Sequence, residues 1–320
     1  MSVSQKHRLV TRSDFDGLVC AVLLKELDLI DEIVFVHPKD VQDGKVDMRP
    51  GDISTNLPYM SVCHLVFDHH HSETVRLGST PAPNHIIDAS APSAARVVFN
   101  HYGGATAFPG VSQEMMDEVD KCDAARFTRD EVLNPAGWTL LGFLMDARTG
   151  LGRFKNFRVS NYQLMMHLIE FCRQHTIDEI LELPDVKERV DLYREQTARF
   201  ETQIMRCARL HGEAVVVDLR DEDPIYAGNR FMVYAIYPDC NVSLHVLKGL
   251  GGKNTVFAIG KSIFNRSSEV NIGELCLAYG GGGHANAGTC QVPNALAEAV
   301  RLEFVEALTP RARRRLTRAS

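Results

Sequence analysis

The N-terminal part of the chain alternates short apolar runs with a stretch of helical spacing. His7–Thr11 and Ile33–Val36 read as buried strands, and Gly17–Leu29 between them carries the helical period. Strands joined through a helix run parallel, because the helix returns the chain to the end of the sheet from which it started, and a parallel sheet needs cover on both faces. Val62–Phe67 supplies a third strand. Val46–Tyr59, richer in Pro, Gly, Asp and Asn, reads as a loop region with a short extended piece at Asp52–Thr55. The expected fold class is therefore α/β, with a parallel sheet and flanking helices. From Pro92 to about His175 the pattern is helical, broken at Gly103–Gly104, Asn134–Pro135 and Gly150–Gly152.

Between Pro184 and His211 the apolar positions Val186, Val190, Tyr193, Phe200, Ile204 and Cys207 recur at alternating four and three, with Thr197 filling the missing step, which predicts a long connector helix. Beyond it the chain turns β-rich, with runs at Ala214–Leu219, Phe231–Ile236, Val242–Leu247 and Thr255–Ile259, and with helices at Asn271–Tyr279 and Ala295–Ala307. This predicts a smaller α+β domain. The expected division is 1–184 for the first domain, 185–211 for the connector, 212–309 for the second domain and 310–320 for a basic tail. No internal repeat at a fixed period is visible.

The net charge is −6, and the last residues, Pro310 to Ser320, carry Arg311, Arg313, Arg314, Arg315 and Arg318 without an acid. Subtracting those five charges leaves the rest of the chain at −11. Such a body is a poor general binder of long nucleic acid, whose affinity comes mostly from neutralised phosphates. Any polyanion must be handled at a local site, with cations supplying positive charge. No run approaches a membrane span, and the start MSVSQKHRLVTRSD lacks the apolar core of a signal peptide, so the expected location is the cytoplasm. The eight cysteines form no C-x-x-C pair, which argues against a zinc ribbon or a disulfide framework and predicts reduced thiols.

Three clusters carry chemistry. Ser13-Asp14-Phe15-Asp16-Gly17 follows the first predicted strand, where side chains converge on the crevice at which open α/β sheets bind ligands. Two carboxylates so placed can hold a divalent cation or serve as acid and base, although D-x-D-G is also an ordinary turn and helix cap. Asp68-His69-His70-His71 follows Val62–Phe67 and so arrives at the same edge. An aspartate beside successive imidazoles is a mixed ligand set suited to Mn²⁺, Fe²⁺ or Zn²⁺. Gly280-Gly281-Gly282-Gly283-His284 closes the predicted helix Asn271–Tyr279. One glycine there would be a cap, whereas four allow backbone amides to approach an anion closely. Arg266, with Asn265, Ser267 and Ser268, adds donors suited to phosphate.

These clusters, in this order, resemble the DHH phosphoesterases that carry a C-terminal DHHA1 domain. The likeness spans roughly residues 7 to 292 and rests on Asp-x-Asp, Asp-His-His, a later Asp before Thr149-Gly150, then Arg-Ser and G-G-G-H. It implies a metal-bearing DHH domain, a DHHA1 domain that grips substrate across a cleft, and hydrolysis of phosphate esters or anhydrides by metal-bound hydroxide. The implied metal is Mn²⁺, with Mg²⁺ or another divalent ion as alternatives. The implied ligands are Asp14, Asp16, His69 and Asp146. Asp68 is a ligand or orients one, and His70 faces the reacting phosphate. Arg266, Gly281, Gly282, Gly283 and His284 match the substrate-binding motif. The implied substrates are short oligonucleotides or small nucleotides, with polyphosphate and a non-hydrolysing nucleotide sensor as alternatives. Pairing into a homodimer is implied by analogy.

Two departures from the family pattern stand out. Val10 occupies the position of a first-motif histidine, with Arg12 nearby. The bridging aspartate of the second motif falls in DISTNLP, where Asn56 is the best register and Asp52 the second. Both changes fall on one of two metal positions. The expectation is one firmly bound ion, with the second weak or replaced by the Arg12 guanidinium, a catalytic contributor beside His70.

Overall fold

A computed structural model describes residues 6–70, 73–74 and 81–309, so His71 and the basic tail 310–320 lie outside the described residues. The chain divides into two compact units. The first comprises residues up to Phe127 together with Asn134–Tyr193, and the second comprises Thr128–Leu133 together with the chain from Arg194 onward.

In the first unit, strands β1 (His7–Arg12), β2 (Ile30–Val36), β3 (Ile53–Thr55), β4 (Leu65–Asp68) and β5 (His85–Ile87) form a sheet of order β2-β1-β3-β4-β5. Every pairing is parallel, with Leu9 opposite both Ile33 and Ile53, Thr55 opposite Phe67, and Asp68 opposite Ile87. The chain leaves β1 through helix α1 (Phe15–Glu26) to reach β2 on one side, and later returns to β3 on the other. The gap between β1 and β3 is thus the topological switch point, where the loops leaving two adjacent strands diverge and open a crevice. Helix α1 has no polar stripe: Phe15 through Leu24 are all buried, because the helix lies between the sheet and further helices. Short helix α2 (Pro38–Gln42) follows β2. Helices α3 (Ala94–His101), α4 (Gln113–Asp123) and, after α5 (Arg129–Leu133), which belongs to the second unit, α6 (Gly137–Met145) and α7 (Asn161–Gln174) complete the set; α1 packs on α3, α4 and α7. Helix α8 (Ile177–Glu182) precedes the long helix α9 (Pro184–Cys207), which carries the division between the units within it.

In the second unit a six-stranded sheet runs β10-β11-β9-β8-β7-β6. Its strands are β6 (Ala208–His211), β7 (Ala214–Asp218), β8 (Val242–Lys248), β9 (Asn254–Lys261), β10 (Gly282–His284) and β11 (Ala287–Pro293). Only β7 and β8 pair in parallel. The predicted strand Phe231–Ile236 is instead helix α10 (Met232–Ile236). A six-residue apolar run cannot by itself separate a buried helix from a buried strand. The parallel pairing of β7 and β8 demands a crossover, and this segment is it, with Phe231 through Ala235 all buried. The predicted connector helix ends at Cys207 rather than His211, because Ala208–His211 turn at Gly212 and pair with β7. Helices α11 (Ile272–Leu277) and α12 (Ala297–Leu308) cover one face over Val216, Leu244, Val246, Phe257 and Ile259, with the Phe304 ring edge-on to Phe257 at 5.2 Å. All eight cysteines are free. Among the described residues, no helix is long and apolar enough to cross a membrane.

Candidate active site

The site is built where β1, β3 and β4 end side by side. Asp14 caps α1 by accepting the Gly17 amide at 3.0 Å. The turn admits only glycine at position 17, because a Cβ there would lie 2.0 Å from the Arg12 carbonyl oxygen. Below it the Thr55 hydroxyl donates to Thr11 Oγ1 at 2.7 Å, tying the ends of β1 and β3 together in the dry interior. Asn56 follows β3 in the left-handed region at φ 55, a conformation that asparagine tolerates better than most residues, and its amide donates to Asp14 at 3.4 Å. Arg12 Nε lies 2.8 Å from the other Asp14 oxygen.

Asp16 is 2 % exposed and receives the amides of Ala94 and Ala95 at 3.0 and 2.8 Å, at the N-terminus of α3. Across from it stands His69, and the third member is Asp123, the last residue of α4. One potential ligand atom from each of Asp16, His69 and Asp123 lies within 4.8 Å of the other two. His69 Nε2 is 3.1 Å from Asp123 Oδ2, and its Nδ1 faces the Ala91 carbonyl at 3.3 Å. Asp68, fully buried as the last residue of β4, takes the His69 and His70 amides and His70 Nδ1 on one oxygen, the last at 2.7 Å.

The electrostatics are those of a crowded negative site with Asp16 and Asp68 withdrawn from water. Burial lifts the Asp16 carboxyl to about 7, helped by the nearby charges of Asp123 and Asp14 and opposed by His69. Burial also raises Asp14, against the pull of Arg12. Burial opposes a charged His69 ring, yet Asp123, Asp16 and Asp68 outweigh it and raise His69 to about 9. Burial would likewise raise Asp123, but its contact with His69 prevails and holds it below the ordinary carboxylate range. His70 is raised because Asp68 outweighs burial.

The residues fit a divalent cation. Three buried polar atoms at this edge, Asn56 Oδ1, Asp68 Oδ2 and His69 Nε2, have no partner in hydrogen-bond geometry among the described residues. Orphaned acceptors facing crowded carboxylates are what a cation satisfies. Two oxygens and an imidazole nitrogen from Asp16, Asp123 and His69 would hold it, with Asp68 and Asn56 adjoining.

Asp123 is not among the ligands that the family resemblance implies; Asp146, which is, falls outside the group of three but beside it, its partner Arg148 being close enough to Asp14 and Asp123 to feel their charges. Asp146 ends α6, accepts the Arg148 amide at 2.9 Å and pairs with the Arg148 guanidinium at 2.7 Å. On α4, Asp120 and Asp123 continue the helical face of buried Met116 and Val119, but Asp120 is half-buried and Asp123 exposed, so the period alone does not single Asp123 out. Asp52, the second register for the bridging position, is engaged elsewhere, in a buried pair with Arg8 at 2.6 Å.

In the second unit the glycine run is largely a packing feature. A Cβ on Gly281 would lie 2.1 Å from the Thr289 carbonyl oxygen, and one on Gly283 would lie 2.2 Å from that of Ala287, so both are demanded by the close seat of the run on β11. Gly282 has no heavy atom within 4 Å of such a Cβ and is the one glycine of the three that packing leaves open to a ligand. His284 is exposed in β10, and Arg266 is exposed with Nε donating to the Ile263 carbonyl at 3.1 Å.

A parallel sheet with acids and histidines gathered at its switch point, joined to a mixed-sheet unit with a glycine-rich edge, defines the class of two-domain phosphoesterases. No protein-family model and no curated protein sequence matches the chain. Among solved structures it is similar to the pGpG-specific phosphodiesterase PggH from Vibrio cholerae, at 59 % identity over 95 % of this chain and 99 % of that one, with a TM-score of 0.84. It also shares its fold with RecJ from Thermus thermophilus, solved in complex with Mn²⁺, at 15 % identity and a TM-score of 0.53, covering 96 % of this chain and 52 % of that one. The chain belongs to the DHH/DHHA1 phosphoesterase family and is an enzyme of that class.

Proposed function

We propose that this chain is a Mn²⁺-dependent phosphodiesterase that cleaves a short linear dinucleotide, with pGpG as its preferred substrate. The observation that carries the reading is the 59 % identity to PggH along nearly the whole of both chains. The acidic body supports a small substrate over a long strand, since phosphates are favoured only near local cations. A divalent ion bound by Asp16, His69 and Asp123 would polarise the scissile phosphoryl group and ease ionisation of the attacking water.

The protein's own groups divide the rest. Asp68 orients His70 through Nδ1 and favours its charged form, so His70 is suited to donate from Nε2 to a phosphoryl oxygen. Arg12, held against Asp14, occupies the side of the site where Val10 and Asn56 replace stronger ligands, and brings a fixed positive charge to the developing oxyanion. One ion per chain follows from that substitution. Arg266, Gly282 and His284 are assigned to substrate binding. The test is a panel of pGpG, pApA, a longer oligonucleotide, 3′-phosphoadenosine 5′-phosphate, a cyclic dinucleotide and polyphosphate, each with Mn²⁺. The expected order of kcat/KM places pGpG first by at least about tenfold, or about 1.4 kcal/mol. Equal turnover of the longer strand, or a preference for polyphosphate, would overturn it.

A further inference from the structure

One short segment touches two residues of the proposed metal centre, Asp16 and His69, and grips the helix that carries the third, Asp123. The stretch from Ala91 to Arg96 leaves β5 and enters α3. Its Ala91 carbonyl meets His69 Nδ1 at 3.3 Å, and its Ala94 and Ala95 amides hold the two oxygens of Asp16. Its two polar side chains grip the helix that carries Asp123. Ser93 Oγ donates to Asp120 Oδ1 at 2.6 Å, and Arg96 Nε donates to Asp120 Oδ2 at 2.7 Å. Arg96 also reaches the Met116 carbonyl and the Asp117 carboxylate at 3.4 and 3.3 Å, and its guanidinium lies 5.3 Å from the centre of the Phe99 ring. Ser93 is fully buried and caps α3 by accepting the Arg96 amide at 3.0 Å.

We propose that Ser93, Arg96 and Asp120 are positioning residues for the metal centre, setting the separation of Asp16 from Asp123 by locking the N-terminus of α3 to the last turn of α4. The inference rests on the metal-centre reading above. Asp120 stands three residues before Asp123, so the Ser93 hydroxyl on one of its oxygens and the Arg96 guanidinium on the other fix the rotation of that last turn. The same segment orients His69: a carbonyl can only accept, so Nδ1 carries a proton, and Nε2 is the nitrogen left to ligate once its own proton is lost. A fork and a hydroxyl on one carboxylate hold direction as well as distance, which a single charge pair would not do. Groups that orient ligands from behind govern metal affinity, and their loss typically costs about 10–100-fold.

The test measures Mn²⁺ binding by calorimetry to the metal-stripped full-length protein without substrate, alongside circular dichroism. Ser93→Ala and Asp120→Asn are each expected to raise the Kd for Mn²⁺ by about 10–100-fold at unchanged helix content. The double variant should not greatly exceed the worse single one, because both interrupt the same link. Raising Mn²⁺ should restore most of kcat. Arg96→Lys, which keeps charge and loses the fork, should fall between. Kd values within about twofold of the unsubstituted protein in Ser93→Ala and Arg96→Lys, with only the unfolding temperature lowered, would reduce the network to a structural tie and overturn the proposal; these two milder variants carry the test if Asp120→Asn does not fold. Asp123→Asn separates the two readings. If it keeps Mn²⁺ affinity, the metal centre itself is misassigned and the positioning role falls with it; if it loses the ion while Ser93→Ala and Arg96→Lys do not, only the positioning role falls.

Discussion

Protons and the metal ion should compete for the same atoms, and the structure sets the size of the competition. In the protein by itself His69 is raised to about 9 and Asp16 to about 7, and both must lose their protons to ligate. Lowering the pH from 8 to 6 leaves His69 protonated throughout, so each unit adds nearly a factor of ten, while Asp16 passes from mostly ionised to mostly protonated and adds about one more. The Mn²⁺ affinity should therefore fall by about 1,000-fold across those two units, or about 4 kcal/mol at about 1.36 kcal/mol per unit. The direction is fixed: affinity weakens as pH falls. Titration calorimetry in buffers of different ionisation enthalpy counts the protons directly, and about one should be released per ion at pH 8, rising to about two at pH 6. A Kd that hardly changes from pH 8 to pH 6, with no proton release, would mean that the ion does not sit on His69 and Asp16, and the assignment of the site would fail.

Asp123→Asn should weaken Mn²⁺ binding by more than about 100-fold, whereas Asp146→Asn, which disturbs a pair with Arg148, should stay within a few fold; equilibrium dialysis with metal analysis distinguishes them. Arg12→Ala should lower kcat by about 10–100-fold while the purified protein still holds one ion per chain, and two tightly held ions in the unsubstituted protein would refute the stand-in role. Gly281→Ala, whose Cβ meets the Thr289 carbonyl, should cost about 1–3 kcal/mol in denaturant melts, while Gly282→Ala leaves stability intact and raises KM if substrate approaches there. Metal-stripped protein should melt lower at pH 8.5 than at pH 6. The folded-state pKa values of His69 and Asp16 both lie above their unfolded ones, so the stability they contribute at low pH is lost as pH rises through about 7 and about 9, and Mn²⁺ should restore it.

Much of this molecule was legible in one dimension because its cues are local. The βαβ period near the N-terminus dictates a parallel sheet, and a strand's end dictates where the next side chains emerge, so Asp14, Asp16, Asp68 and His69 could be assigned to one edge from their places in the chain alone. The departures at Val10 and Asn56 were equally plain, and Asn56 does lie against Asp14 while Asp52 turns to Arg8. What the chain order could not reveal was Asp123. It stands far from the strand motifs in sequence, and no short pattern marks it; only the packing of α4 against α1 and α3 brings its carboxylate to His69. The same holds for α10, whose apolar run fits a strand or a helix until the parallel pairing of β7 and β8 requires a crossover. For the glycine run, composition suggested room for an anion, but the carbonyls of Thr289 and Ala287 claim Gly281 and Gly283, leaving Gly282. Local periodicity and strand ends carry the fold class and half of the candidate site. The other half depends on which helix face meets which, a contact between residues distant in sequence that only the assembled core determines.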